Sequence, residues 1–443
     1  MGAKSTLLGR LPSEYGIAVV LVVLCGVFSI ATLTEQQPEG AAAGEELARR
    51  IAAGHPQSKV VIVAGTGHED AQFAEALQTG LTRAGVAVLA TSAGTPSIAR
   101  TTFARLASEQ KPPDVIAVSR TAGRWSLLDD LSAKVPGVGS PRVVAPVAYR
   151  WPNFLKTDNL LNVANQIAVI AILAAGMTLV IIAGGIDLSV GSLIALSAVL
   201  GTLLIRRYAG AEQATAAGMV VCCAAAVLAC GAVGGLSGLV VTQFAVPSFI
   251  VTLGVMLMAS GAAFLLTAGE SVYELPDSFV WLGRGADLAG VPNAVVLMAL
   301  LYGAAHLVLT RTAFGRYVYA VGGNAEAARL AGVRVSAVVV AVFALNGLLA
   351  GLGGVIMASQ LKSGSPTYGQ MYELYVIAAV VVGGTSLAGG EGNVLGTLLG
   401  AFLIAVIQNG MNLTGVESYT QKVVLGAIIV AAVLIDRLKR RFR

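Results

Sequence analysis

IAVIAILAAGMTLVIIAGGIDLSVGS, residues 167–192, decides how this chain is to be read. From Leu160 to Ala183 there is no charged side chain, and about 20 such residues in a helix cross the hydrocarbon of a bilayer. The run then breaks at Gly184-Gly185-Ile186-Asp187-Leu188-Ser189 and resumes as a second apolar stretch to residue 205. A soluble core helix has no need of such length, and a loop has no need of such hydrophobicity. The pattern is that of a membrane helix followed by a glycine-broken one.

Outward from that stretch the same signal repeats. Apolar spans are expected near 15–34, 160–183, 188–205, 216–241, 248–268, 291–310, 336–358, 373–387, 394–412 and 419–436. That makes about ten, so the fold class is an all-α polytopic membrane protein with broken helices. Composition agrees: 56% of 443 residues are hydrophobic, only 12% are charged, and mean hydropathy is +0.78. A soluble domain carries about twice that charge. The 53 glycines suit helices that approach closely or break within lipid. A net charge of +5 is accounted for by cytoplasmic loops and a basic tail, so nucleic-acid binding is not inferred. The four cysteines (Cys25, Cys222, Cys223, Cys230) lie inside apolar runs without metal-ligand spacing.

Lys4 and Arg10 precede the first span, while Arg311, Arg316, Arg329, Arg334 and the tail Asp436–Arg443 supply the other basic clusters. By the positive-inside rule these face the cytoplasm, and an even number of spans puts both termini there. Arg206-Arg207 is the one pair that conflicts. The first span is taken as uncleaved rather than as a signal peptide. The Met1-Gly2…Thr6 match to a myristoylation pattern is set aside as chance.

Residues 35–150 change character: charge is dense and no run could cross a membrane. Expected elements are helices at 45–53, 69–84, 97–109 and 127–135, alternating with strands at 59–64, 86–90, 114–119 and 142–147. Strands apolar throughout between amphipathic helices indicate a small parallel α/β domain. Following an N-in span, it is expected outside the cytoplasm. Residues 1–34, 35–150 and 151–443 therefore read as a first span, an inserted extracytoplasmic α/β domain and a transmembrane core. Trp151–Leu155 is expected to re-enter the membrane at its interface.

Nothing in the apolar region makes a catalytic set. His306 is alone near a helix end, no phosphate loop is present, and ionisable residues within spans are scarce. The chain is therefore not expected to be an enzyme. Two glycine-punctuated segments are candidates for the pathway instead: Gly184–Ser192, with Gly185, Asp187, Ser189 and Gly191, and Gly383–Gly392, with Gly384 and Thr385. A carboxylate at mid-bilayer costs about 2.5–3.5 kcal/mol, so Asp187 must sit at a boundary or be paired. Between two spans lies the polar segment 311–335, where Asn324 can cap a short helix that carries Glu326 in its first turn and stops at Gly332.

Residues 167–192 together with PSFIVTLGVMLMASGAAFLLT (247–267), TAFGRYVYAVGGNAEAARLAGVRV (312–335), YELYVIAAVVVGGTSLAGGEGNVLGTLLGA (372–401) and VVLGAIIVAAVLIDRLKRR (423–441) resemble the permease subunits of bacterial ribose/xylose/galactose-type ABC importers. The resemblance spans 151–443 and the first span. It implies a chain of the bacterial cytoplasmic membrane that pairs with a second permease copy or paralogue. It further implies that sugar arrives from an extracytoplasmic binding protein and that a separate cytoplasmic ATPase, holding ATP and Mg, drives transport. This chain itself would bind no cofactor. The segment matching the family's coupling loop implies that Gly315, Arg316, Asn324, Glu326, Ala327, Ala328, Arg329 and Gly332 dock that ATPase. Glu373 joins the pathway candidates. Tyr375 stands where the family usually carries aspartate, and the domain at 35–150 replaces a short connection. That domain resembles one lobe of a sugar-binding protein. Permeases for nucleosides, amino acids or signalling molecules, a receptor with an outer sensor, and a carrier needing no ATPase are the alternatives.

Overall fold

The computed structural model describes residues 13–441; the readings of residues 1–12 as a basic cytoplasmic end, signal peptide or myristoylation site lie outside them. The chain divides into two compact units, one from Leu33 to Pro152, the other from the residues before and after it.

In the membrane-type unit, α1 (Ser13–Ala31) is followed, beyond the insertion, by α6 (Thr157–Ile182), α7 (Val190–Leu204), α8 (Ala216–Gln243), α9 (Ser248–Thr267), the short α10 (Trp281–Arg284), α11 (Asn293–Arg311), α12 (Ala313–Gly323), α13 (Ala325–Leu330), α14 (Val335–Leu361), α15 (Tyr372–Val382), α16 (Val394–Leu413) and α17 (Ser418–Arg441). Among the described residues, seven helices are long and apolar enough to cross a membrane; Gly16–Ala31, Tyr372–Val382 and Ser418–Ala431 are shorter apolar stretches. The span expected at 373–387 is cut short because the chain breaks at Gly383-Gly384. The span expected at 15–34 ends at Ala31, where the extended Leu33–Gln36 begins.

α6 is the centre of the bundle, buried along almost its whole apolar length. α8, α9 and α11 are mostly exposed and present Val220, Leu228, Leu257, Leu265, Leu300 and Leu307 outward, the surface that lipid would cover. α14 runs antiparallel to α6: Gly176 faces Asn346, and Gln360 donates to the Asn165 carbonyl at 3.0 Å. α16 is also antiparallel to α6, joined to it by Thr178–Thr397 hydroxyls 2.8 Å apart and by a reciprocal amide pair, Asn159–Asn409, at 2.9 and 3.0 Å. The chain leaves this unit after Thr32 and returns at Asn153. Thr32 O and Oγ1 accept from the backbone N–H groups of Asn153 and Phe154 at 3.0 and 3.1 Å, so the two points are held together.

In the unit Leu33–Pro152, β1 (Leu33–Gln36) and β6 (Tyr149–Pro152) form an antiparallel ribbon. Between them come α2 (Gly40–Gly54), β2 (Lys59–Ala64), α3 (His68–Arg83), β3 (Ala87–Ala93), α4 (Pro96–Ser108), β4 (Val115–Val118), α5 (Leu131–Lys134) and β5 (Arg142–Val144). The sheet order is β3-β2-β4-β5, all parallel. β2 is apolar at every buried position because both faces are covered. Val60 and Ile62 meet Leu47, Ile51, Phe73 and Leu77 of α2 and α3, while Val61 and Val63 meet Phe103 and Leu106 of α4.

Two local expectations are corrected here. The helix at 127–135 is a 3-10 turn, Ser126–Leu128, then the four-residue α5; Asp130 takes a non-helical conformation between them. The strand at 142–147 stops at Val144, just before Ala145-Pro146, since proline has no N–H for a ladder. At 151–155, where re-entry at the interface is expected, Trp151 pairs with Thr34 in the ribbon and Asn153–Leu155 is a 3-10 turn ahead of α6. That pairing joins residues too distant in sequence for local patterning to reveal.

Candidate functional site

The break between α6 and α7 is built residue by residue. Gly184 (φ +86°) takes the left-handed conformation that turns the chain back after Ala183. Asp187 is then completely buried, and three donors reach it: Ser189 N at 2.9 Å and Ser189 Oγ at 2.6 Å to Oδ1, and Asn346 Nδ2 of α14 at 2.9 Å to Oδ2. The peptide groups on either side are held by α9. Ile186 N donates to Ser248 Oγ and Leu188 N to Thr252 Oγ1, both at 3.0 Å. Of the two possibilities for Asp187, the structure gives the paired one. The broken segment is thus clamped to α9 and α14, with its polar groups satisfied inside the protein. Asn346 escaped the sequence reading. The available signal was an amide inside the apolar stretch VVVAVFALNGLLAG (338–351), which needs a partner when buried.

The second broken segment meets the first through α12. Gly390 N donates to Ile182 O at 2.8 Å, and Gly389 lies against Gly184 and the Gly322 carbonyl. At Gly322 the backbones approach so closely that any Cβ would collide with the Ile182 carbonyl oxygen, whereas Gly323 has free space beside it. Tyr319 Oη donates to Gly392 O at 2.7 Å. Gly383 packs on Gly396 and Thr397 at the start of α16, and Thr385 Oγ1 is buried without a partner among the described residues. One end of the bundle therefore gathers Gly184, Gly322, Gly389 and Gly390.

α13 follows α12 at that end. Asn324 Oδ1 accepts from Ala327 N at 2.9 Å, and Glu326 and Arg329 form an exposed ion pair at 2.6 Å. Only Ala328 is buried; Leu330, which sequence reasoning passed over, is 80% exposed. Gly332 (φ +86°) ends the turn. Gly315 packs under the last turn of α11, and Thr312 Oγ1 caps α12 by accepting from Gly315 N at 3.2 Å; Arg316 is exposed beside it.

Gly191 and Glu373 form a separate contact. Glu373 is in the first turn of α15 and its carboxylate lies against Gly191, in the first turn of α7. Two helix N-termini thereby share one negative group. Beyond it, among α6, α14, α15 and α16, a cavity of about 270 Å³ is lined by Gln166, Gln360, Gln408 and Tyr372 among apolar side chains including Ile170 and Met357. No charged side chain lines it. Tyr375 packs edge-on to the Tyr372 ring, 6.2 Å between centroids. Within the inserted unit, a cavity of about 260 Å³ opens at the carboxyl ends of β2 and β4, where strand order reverses. Asp70 there accepts from Ser119 Oγ at 2.5 Å, and Arg120 pairs with Glu39. No cluster of three metal-ligating side chains occurs among the described residues.

Residues 159–433 match the family described as branched-chain amino acid transport system / permease component. The chain is similar to the ribose import permease protein of Escherichia coli (strain K12), 44% identical over 267 residues, covering 59% of this chain and 80% of the relative. It is 42% identical over 313 residues to the ribose import permease protein of Bacillus subtilis (strain 168), covering 69% of this chain and 92% of that one. With the xylose transport system permease protein of Escherichia coli (strain K12) identity is 35% over 361 residues, with 67% and 90% covered. No solved structure matches.

Proposed function

We propose, from the premise that this chain belongs to the family of branched-chain amino acid transport system permease components, that it forms the membrane pathway of an ATP-driven importer of a pentose or hexose. The names of its relatives, ribose and xylose permeases, supply the solute class. On this reading the chain performs no bond chemistry. A cytoplasmic ABC ATPase binds ATP and Mg, an extracytoplasmic binding protein delivers sugar, and a second permease copy or paralogue completes the pathway. Ten spans, the three short apolar helices included, keep both termini in the cytoplasm of a bacterial inner membrane and place residues 33–152 outside.

One observation carries the coupling step: α12, which leads directly into the exposed α13, abuts the backbone of both broken segments at Gly322. The ATPase would dock on Glu326, Ala327, Arg329 and Leu330. A displacement of α13 would pass through Gly322 to Ile182 and Gly390, at the ends of the segments that interrupt α6–α7 and α15–α16. Glu326→Lys and Arg329→Glu test this. The exposed pair contributes no more than about 1 kcal/mol to stability, so both variants should insert normally. ATP-dependent uptake should fall at least about tenfold in each, and parental uptake in both would end the assignment.

The inserted unit would dock or orient the binding protein, or serve a purely structural contact; it offers one lobe of a cleft and no opposing wall. A nucleoside or amino-acid solute is the second reading, and of the two the family's own description names the amino acid.

A further inference from the structure

We infer that Gln166, Gln408 and Tyr372 are the solute-contacting residues of the pathway, and that they recognise an uncharged, hydroxyl-rich solute rather than a zwitterion. This rests on the permease reading and refines its substrate. The cavity lies toward the end of the bundle where α6 starts and α14 and α16 finish, opposite the end that holds Gly322 and α13. A solute arriving from the side away from the ATPase therefore meets it first.

The chemistry is specific. Gln360 is committed through its Nε2, which donates to Asn165 O at 3.0 Å, while its main-chain carbonyl accepts from Arg284 Nε at 2.5 Å. Gln166 and Gln408 make no side-chain hydrogen bond among the described residues, although both stand on helices that read as membrane spans. Gln166 is exposed and Gln408 half-buried, so both amides stand open to the cavity and free to pair with what enters it. Each offers two donors and a two-lone-pair acceptor, which matches hydroxyl groups, themselves donor and acceptor at once. Tyr372, steadied edge-on by Tyr375, supplies a flat apolar face for the C–H side of a ring. An amino acid would bring an ammonium and a carboxylate into a cavity whose lining carries no compensating charge. The contacts come from two neighbouring helices, so relative movement of α6 and α16 would separate the two amides and release the solute.

The test is uptake by proteoliposomes holding the full permease with its ATPase, supplied with binding protein and labelled ribose, xylose or leucine, with ATP hydrolysis read in parallel. The parent is expected to accumulate a sugar and not leucine. Gln166→Leu/Gln408→Leu should lower sugar imported per ATP hydrolysed by about tenfold or more, the effect of losing hydrogen bonds to the solute. A parental ratio in that variant, or a parent that imports leucine, overturns the inference. Should the double variant fail to assemble, Gln166→Asn and Gln408→Asn keep the amides but withdraw them by one methylene. Each should then lower the ratio severalfold, and parental ratios in both overturn it equally. A parent that accumulates none of the three solutes despite ATP hydrolysis would instead remove the permease reading itself.

Discussion

Exchanging the partners across the Asp187–Asn346 contact is the sharpest perturbation the fold offers. Both residues are fully buried, and Asn346 Nδ2 is the one donor from outside the turn that reaches Asp187 among the described residues. Asn346→Asp alone would set two carboxylates at hydrogen-bond distance with no solvent, an uncompensated buried charge worth about 3–5 kcal/mol of destabilisation. Asp187→Asn alone should cost only about 1 kcal/mol. Asn346 Oδ1 has no partner among the described residues, so its amide can rotate to accept from the new Nδ2. With both changes the contact is rebuilt in reverse: the amide at 187 still accepts from Ser189 and now donates to the carboxylate at 346. The double variant should therefore be more stable than the sum of the two changes by about 2 kcal/mol or more, the upper half of the range for contacting residues, though short of the parent because a carboxylate at 346 has one donor where that at 187 has three. Denaturant titration of the purified protein, followed by helical circular dichroism, reads all four corners of the cycle. If the two changes simply add, to within about 0.5 kcal/mol, Asp187 is not held by Asn346 and the clamp does not exist.

Gly322→Val should abolish uptake and disturb the packing of α12, because its side chain would strike the Ile182 carbonyl, while Gly323→Ala, one residue on, should transport like the parent; uptake of the pair side by side decides it. Replacing residues 33–152 by a linker of a few glycines and serines should leave a folded, inserted permease, since Thr32 and Asn153 are already hydrogen-bonded at 3.0 Å. Loss of the monodisperse peak on gel filtration would count against that, and uptake with saturating binding protein shows whether the insertion docks it. Asp70→Ala should strip the buried Ser119 hydroxyl of its acceptor and cost the inserted unit about 1–3 kcal/mol, seen as faster limited proteolysis of that unit within the full chain.

Much of this protein was legible in one dimension. Hydropathy over about 20 residues marks a helix that lipid can surround, so the apolar runs that became α6, α8, α9, α11, α14 and α16 stood out by composition alone. The βαβ alternation of the insertion, the cap at Asn324 and the break at Gly184 were equally visible, each being set by residues a few positions apart. The relation of the glycine segments was not. That Gly184, Gly322 and Gly389 share one junction depends on three backbones approaching from different parts of the chain, and absence of a side chain leaves no record of which neighbour required it. The partner of Asp187 lies 159 residues away, and the strand facing Thr34 lies beyond the whole α/β unit. The sequence by itself determined which segments are apolar enough to enter a membrane and where they break, because transfer into lipid and the turning of a chain are local free energies. Only the tertiary structure decided which carboxylate accepts from which amide, which glycines touch, and which glutamines are left without a partner, because those depend on contacts between helices that nothing local encodes.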